Sequence, residues 1–456
     1  YLTVDSLSYS FFKQESEKLR QQISGTEFSQ ATATASDTNS AMPGLAAGIY
    51  SDTVPGWGLK SGQDVRTIAS VLDDAGYECG MWSDNYLFSE EYGYGEGFTG
   101  GNVGKKSWKK EAISYIRNSP AEPLFGLAEW GYFNIFTPLA DRFRSADETL
   151  YKTAEQLHIQ ALNWLSESSD PVFCWVHYMD THHPYEPPAE YLDRHELNTP
   201  RSRGELGQLT REIVKDNGTG YSESELEDVQ TAYRACCEYL GDELSDFIAS
   251  LERDGHFDPG KDIIVISADH GECLSPQENG SMGHVPPAFW EPITNVPLIV
   301  GAPSWEENHI PDQVSLIDLF PTILELANLD VPESAEGTAA ATPEELSQTL
   351  AYFVSQWGPA GEELSRTYRG VRHSSGAKLF GSHIEDADRV YATQVANGID
   401  EVVSKSEGTT LPTGLLKKFD PLREVLEGHG PPIEYRQNTD PDETVEEHLA
   451  DLGYLE

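Results

Sequence analysis

The sequence predicts an α/β protein whose core is a mixed, doubly wound sheet with helices on both faces. Three features point to it. Short runs rich in β-branched residues alternate with longer segments of helical periodicity along most of the chain. The run Ile263-Ile-Val-Ile266 carries consecutive apolar side chains and so expects cover on both sides of its sheet. Strand-like runs also end in Asp and His residues, as happens where an open sheet gathers a ligand at the carboxyl ends of its strands.

In chain order, strands are expected over residues 2–5, 78–83, 172–176, 263–267 and 298–300. Between them, apolar residues at three- and four-residue spacing predict helices over 65–75, 150–165 and 223–251. An Ala/Thr/Glu-rich stretch at 337–365 reads as a connector, which divides the chain into domains at 1–336 and 366–456. Ala31-Thr-Ala-Thr-Ala35 is the one low-complexity tract, and 438–443 is a polar turn before a terminal helix.

Composition narrows the function. Lys and Arg number 31 against 76 Asp and Glu, for a formal charge of −45 and a pI near 4.4. With 38% hydrophobic and 10% aromatic residues the chain is not a disordered polyanion. Acid spread evenly along the sequence is instead the pattern of a halophilic protein, whose self-repulsion vanishes where screening lengths fall to about 3 Å at ~1 M salt. No basic face is visible, so nucleic acid is not an expected partner. No run of about 18 apolar residues exists to span a membrane. Five cysteines make no disulfide framework in a chain of this size. No signal peptide is visible and the cytoplasm is the expected location, although the chain begins inside a strand, as it would had upstream residues been removed.

Three segments carry chemistry. The first is Asp262-Ile-Ile-Val-Ile-Ser-Ala-Asp-His-Gly-Glu272 with Gly283-His284. There Asp269 and His270 stand side by side at a strand's end, where both can reach one divalent ion; a capping Asp beside a loop His is the blander alternative. The second is Val172-Phe-Cys-Trp-Val-His-Tyr-Met-Asp-Thr-His-His-Pro-Tyr185, ending in Asp180, His182 and His183. The third is Tyr1-Leu-Thr-Val-Asp-Ser6, a short strand ending in Asp5.

With Ala75-Gly76-Tyr77, Ser83-Asp84-Asn85, Val296-Pro-Leu-Ile-Val300, the run from Leu316 to Leu326 and the closing Leu449-Ala-Asp-Leu-Gly-Tyr-Leu-Glu456, these segments resemble, in order and over nearly the whole chain, the sulfatases of the alkaline phosphatase superfamily. The resemblance implies an alkaline-phosphatase-like sheet in a catalytic domain. It also implies a small C-terminal antiparallel α+β subdomain, to which Tyr368-Arg-Gly-Val-Arg-His373 and Arg389-Val-Tyr-Ala-Thr-Gln394 would contribute strands. It further implies that Asp5, Asp269 and His270 hold one divalent metal, with Thr38 completing the shell. Carboxylates with one imidazole suit Mn²⁺, Mg²⁺ or Ca²⁺, with Mn²⁺ preferred because His270 stands where many sulfatases have Asn. His182 and His284 would face the ester, one stabilising transferring oxygens and the other protonating the leaving group. Asp180 would orient His182 or belong to a second metal. His183 would pack against Pro184.

The departure is at the nucleophile. Alignment on Pro43-Gly-Leu-Ala-Ala-Gly48 puts Thr38 at the family's Cys or Ser and Met42 at its Arg, so formylglycine chemistry is not expected. A metal-activated threonine hydroxyl remains, and it favours phosphorus through a covalent phosphoryl intermediate. The alternative is Thr38 as a helix N-cap, with Ser36 and Ser40 as lesser rivals for the nucleophile. Lys105, Lys106, Lys109 and Lys110 form either a lid or a solvated helix start. Without the family's anion-binding cations a phosphodiester becomes a reasonable substrate. Loops 100–110, 121–143 and 201–222 are the expected pocket walls, and Trp130, Tyr132 and Phe133 would stack on a substrate ring or simply pack.

Two functions follow. One is a metal-dependent hydrolase of sulfate or phosphate esters carried on a glycan, lipid headgroup or small molecule. The other is a non-catalytic relative that binds a sulfated or phosphorylated glycan or a protein partner.

Overall fold

The computed structural model describes residues 1–54, 56–59, 65–85, 87–88, 92–102, 149–169, 171–275, 282–358, 366–384 and 387–435. The four lysines at 105–110, the aromatic trio at 130–133, the turn at 438–443 and the closing motif at 449–456 lie outside these residues.

The first sheet contains β1 (Leu2–Val4), β2 (Thr26–Thr32), β3 (Glu78–Ser83), β4 (Gly100–Gly101), β5 (Val172–Tyr178), β6 (Ile264–Ala268), β7 (Asn295–Gly301) and β8 (Asn308–Ser315), in the order β4-β3-β5-β1-β6-β7-β2-β8. Strands β3, β5, β1 and β6 are parallel, whereas β7 is antiparallel to both its neighbours. The sheet is thus mixed, and the strands expected from apolar runs form its centre. Sequence reasoning missed β2, β8 and the two-residue β4. Thr26-Glu-Phe-Ser-Gln-Ala-Thr32 is polar at most positions and abuts the Ala/Thr tract, and β8 contains Pro311, which an edge strand tolerates.

Helices pack in two groups. Tyr9–Glu15, Glu17–Gln22, Ala154–Leu165 and Arg203–Lys215 gather on the long helix Glu223–Asp254, while Thr38–Ala47 packs with Ile68–Asp74 and Leu319–Leu326. The long helix has well-marked ends. Ser222 and Glu225 form a reciprocal cap at its start, and Gly255, at φ 80°, takes the left-handed conformation that ends it.

The second sheet contains β9 (Leu350–Trp357), β10 (Arg366–His373), β11 (Ala377–Ile384), β12 (Ala387–Ala396), β13 (Ile399–Glu407) and β14 (Ile433–Tyr435). All pairings are antiparallel. β9 runs along the whole of β10, so the stretch 337–365 is not merely a connector: the second sheet begins inside it. Leu350-Ala-Tyr-Phe-Val-Ser-Gln-Trp357 is mostly buried, and its apolar run was masked in the sequence by the Ala/Thr/Glu composition before it.

β9 also ties the two sheets together. Val354 N–H donates to Thr34 O at 2.8 Å, and Gln356 N–H donates to Ser40 Oγ at 3.0 Å, so its outer edge is covered by the start of helix Thr38–Ala47. A buried ion cluster joins the sheets elsewhere: Arg372 and Lys378 meet Glu291 at 2.9 and 3.3 Å, and Lys378 stands 3.5 Å from Asp400.

Candidate active site

Parallel pairing brings the chemical residues level. Val4 is opposite Tyr178 on one side and Ala268 on the other, so Asp5 and Asp269, the next residues of their chains, emerge together. Asp5 N–H donates to Tyr178 O at 2.9 Å and Asp269 N–H to Val4 O at 3.1 Å, which prolongs the ladder into the site. Ser6 then turns the chain at φ 62°, an uncommon conformation for a non-glycine residue, and its N–H points to Asp269 Oδ1 at 3.3 Å. Past β6, Gly271 lets the chain come close to the turn at Pro292, since a Cβ there would lie 2.1 Å from the Pro292 oxygen.

Thr38 reaches this point from the start of helix Thr38–Ala47. Its Oγ1 donates to Asp5 Oδ2 at 3.1 Å and lies 3.3 Å from His270 Nε2. The N-cap of helix Thr38–Ala47 is Asp37, whose carboxylate accepts Ser40 N–H at 3.0 Å, and Thr38 is the first helical residue. The capping interpretation of Thr38 is therefore replaced by capping through Asp37, leaving the threonine hydroxyl directed at Asp5 and His270. Ser36 and Ser40 are engaged by β9: Ser36 Oγ meets Ser355 Oγ at 2.9 Å, and Ser40 accepts Gln356 N–H.

The residues singled out in the sequence converge. Asp5, Asp269 and His270 are fully buried, and His270 Nε2 stands 3.7 Å from a carboxylate oxygen of each aspartate. The His284 ring is 4.4 Å from that of His270 and 5.6 Å from that of His182. Further residues join them. His177 Nε2 lies 3.6 Å from Asp5 Oδ2, Asn85 Nδ2 donates to the same oxygen at 3.0 Å, and Ser6 Oγ donates to Asp5 Oδ1 at 3.0 Å. Glu272 contacts His284 Nδ1 at 3.2 Å, and His183 stacks on His182 at 4.2 Å rather than serving only to pack against Pro184. His177 and Glu272 lay inside the quoted segments, one residue beyond an expected strand and two residues beyond His270. Asn85 followed a predicted strand. Only the register tells which of these faces the site.

Charge in this enclosure is unbalanced. Burial alone would raise the Asp5 carboxyl, but His182, His177 and His270 outweigh it and hold Asp5 well below the usual range. Burial, reinforced by the Asp5 charge, pushes Asp269 well above it, as expected for neighbouring carboxylates. Burial also raises Glu272 to about 7 and depresses His284, with His270 and His182 adding to the latter. Asp180 accepts Ala154 N–H at 3.2 Å, and burial pushes it up to about 7.

A divalent metal fits these groups. Asp269 Oδ2 and His177 Nε2 are buried without a hydrogen-bond partner among the described residues, and one ligand atom from each of Asp5, His177 and Asp269 lies within 4.8 Å of the others. Two carboxylates with imidazole form a donor set for a hard or borderline cation. Bound there, the cation would neutralise the repulsion between Asp5 and Asp269.

A family model described as Sulfatase matches residues 1–329. The uncharacterized sulfatase YidJ of Escherichia coli (strain K12) is 26% identical over 346 residues, which are 69% of this chain and 63% of that protein. The match thus spans less than two thirds of that relative's length. Among solved structures, the phosphonate monoester hydrolase SpPMH from Silicibacter pomeroyi superposes with a TM-score of 0.60 at 17% identity, covering 86% of this chain and 88% of that one. A protein in complex with its substrate D-glucosamine-2-N,6-O-disulfate gives 0.58 at 14% identity, covering 94% and 96%. At these identities the likeness is one of fold, with the mixed α/β sheet and the C-terminal antiparallel sheet in common. Among the described residues no helix is long and apolar enough to cross a membrane.

Proposed function

The chain belongs to the sulfatase family, and on that premise we propose that it is a metal-dependent ester hydrolase in which the Thr38 hydroxyl attacks a phosphate or sulfate ester. The observation that carries this reading is the placement of Thr38 Oγ1 between Asp5 Oδ2 and His270 Nε2, at 3.1 and 3.3 Å, on the first residue of a buried helix. Asp5, Asp269, His270 and Thr38, joined by His177, would hold the metal. When bound, a divalent ion (Mn²⁺, Mg²⁺ or Ca²⁺) would supply positive charge that favours a deprotonated hydroxyl and offsets charge on the ester oxygens.

The chain's own groups account for the remaining steps. Attack by Thr38 forms a covalent ester on the threonine and expels the alcohol, and water then opens that ester. Phosphorus suits this route better than sulfur, because threonine lacks the aldehyde hydrate whose collapse would otherwise release sulfate. His284, with Nδ1 engaged by Glu272, is suited to protonating the leaving oxygen. His182, whose Nδ1 lies 2.6 Å from the His183 carbonyl, would steady the transferring oxygens. The start of helix Thr38–Ala47 adds partial positive charge at the same place. The substrate class is an anionic ester on a glycan, lipid headgroup or small molecule, a range consistent with the phosphonate ester hydrolase and the disulfated-glucosamine complex among the structural neighbours. The −45 formal charge supports a reading in which the protein works in concentrated salt.

The test is hydrolysis of matched aryl phosphate monoester, aryl phosphodiester and aryl sulfate in molar KCl, with Mn²⁺, Mg²⁺ or Ca²⁺ added singly. Preference for phosphorus is the expected result; turnover of sulfate alone would overturn the threonine route. Silence on all three would favour a non-catalytic binding protein, a reading supported by the fully buried Met42 at the family's Arg position. Full activity at physiological ionic strength would remove the halophilic assignment.

A further inference from the structure

We propose that Glu272 is a positioning residue that sets the orientation and tautomer of His284. The inference rests on the reading of His284 as the group that protonates the leaving oxygen. Glu272 is fully buried, and both carboxylate oxygens face His284 Nδ1, at 3.2 and 3.3 Å. The carboxylate is itself anchored: the Tyr185 hydroxyl donates to Oε2 at 3.0 Å, and the Glu272 N–H donates to Ser8 Oγ at 3.0 Å. Tyr185 is also fully buried, so this support belongs to the core rather than to solvent.

The tautomer follows from the partners of Nδ1. Ser6 Oγ also lies near Nδ1, at 3.4 Å, but its proton goes to Asp5 Oδ1 at 3.0 Å, so toward His284 it acts as an acceptor. Glu272 and Ser6 therefore both ask Nδ1 to carry a hydrogen. The transferable proton is then the second one, which the ring carries on Nε2 only as imidazolium; its loss leaves the neutral ring with the hydrogen on Nδ1. As the bond from phosphorus or sulfur to the leaving oxygen breaks and its electron pair stays with that oxygen, the Nε2 proton passes to it, while the Nδ1 hydrogen remains on the ring facing Glu272. A carboxylate placed in this way keeps the ring from rotating and holds the hydrogen on Nδ1, so that Nε2 is the nitrogen that gains and gives up the second proton.

The experiment uses the full chain with metal added, on aryl esters whose phenol leaving groups span a range of basicity. For His284→Ala the rate should fall steeply with leaving-group basicity; a uniform loss would overturn the reading of His284, and this proposal with it. For Glu272→Gln the expected loss is roughly 10- to 100-fold on the poorest leaving groups and small on nitrophenyl esters, with KM unchanged. Glu272→Asp should recover part of the loss. In the His284→Ala background Glu272→Gln should add nothing. An equal loss on every leaving group, or a multiplicative loss in the double variant, would overturn the positioning role even if His284 proves to be the acid. Should Glu272→Gln not fold, Tyr185→Phe loosens the same carboxylate and should give the same leaving-group dependence in weaker form; its absence there would also count against the proposal. His183, Glu272 and His284 offer ligand atoms within 4.8 Å of one another, so bound metal is counted as well. Loss of one metal equivalent in Glu272→Gln would show a ligand instead of a positioning residue.

Discussion

Two buried clusters of charge in this molecule make opposite use of burial. Between the sheets, Arg372 and Lys378 face Glu291 and Asp400, and the ion pairs are completed by hydrogen bonds from Thr393 to Asp400 at 2.7 Å and from Arg372 to Gln313 at 2.6 Å. Arg372 and Lys378 outweigh the burial of Glu291 and hold its carboxyl below the ordinary range. At the strand ends, Asp5 and Asp269 face each other with imidazoles around them, and two ligand atoms lack hydrogen-bond partners among the described residues. The first cluster is balanced from within and so holds two sheets together. The second has histidines around Asp5 but no cation on Asp269, an arrangement that a bound metal would balance.

Substitutions should separate the two behaviours. The largest effect is expected for Thr38→Ala, which should lower kcat by at least ~10⁴-fold, as loss of a nucleophile does, while the denaturant midpoint and metal binding stay near wild type; retained turnover would remove Thr38 from the chemistry. Lys378→Met leaves the buried Asp400 without its cation and should cost about 3–5 kcal/mol of stability in urea titrations. Its metal affinity should be unchanged, and a parallel loss of metal would mean that the two clusters are coupled.

Asp180 tests what an unpaired buried carboxyl does by itself. Its folded pKa, about 7, lies above the unfolded value, so the native state binds the extra proton and stability falls as pH rises from about 4 to about 7. Asp180→Asn should remove up to about 4 kcal/mol of that slope, read from unfolding midpoints across the same range; an unchanged slope would assign it to other groups. The smallest effect expected is from metal itself. Mn²⁺ at a hundred times its Kd should stabilise the wild type by about 2.7 kcal/mol, and Asp269→Asn should abolish that gain while making the metal-free protein no less stable. A metal-free Asp269→Asn that unfolds more easily would show that Asp269 is structural.

Much of this was legible in the sequence. Strands β1, β3, β5, β6 and β7 announced themselves by apolar runs, because central strands covered on both faces leave little room for polar residues. The polar β2 and the proline-containing β8 carry no such signal, and β9 was hidden beside a composition typical of linkers. At the site, Asp5, Thr38, His182, Asp269, His270 and His284 could be named from motif order. The contributions of His177, Asn85, Ser6, His183 and Glu272 could not, since each depends on which way a side chain faces after pairing. Asp37, not Thr38, proved to be the cap, a distinction of one residue that local composition in Ser36-Asp-Thr-Asn-Ser40 does not resolve.

The sequence by itself determined the α/β class, the acidic surface and the identity of the groups that collect at the strand ends, because burial periodicity, net charge and side-chain chemistry are properties of the chain taken locally. Only the tertiary structure decided which strand enters the second sheet, which residue caps helix Thr38–Ala47 and which nitrogen of His284 meets a carboxylate. Those outcomes follow from parallel register and from contacts between residues as distant as Ser40 and Gln356, and no local pattern encodes a partner that far away.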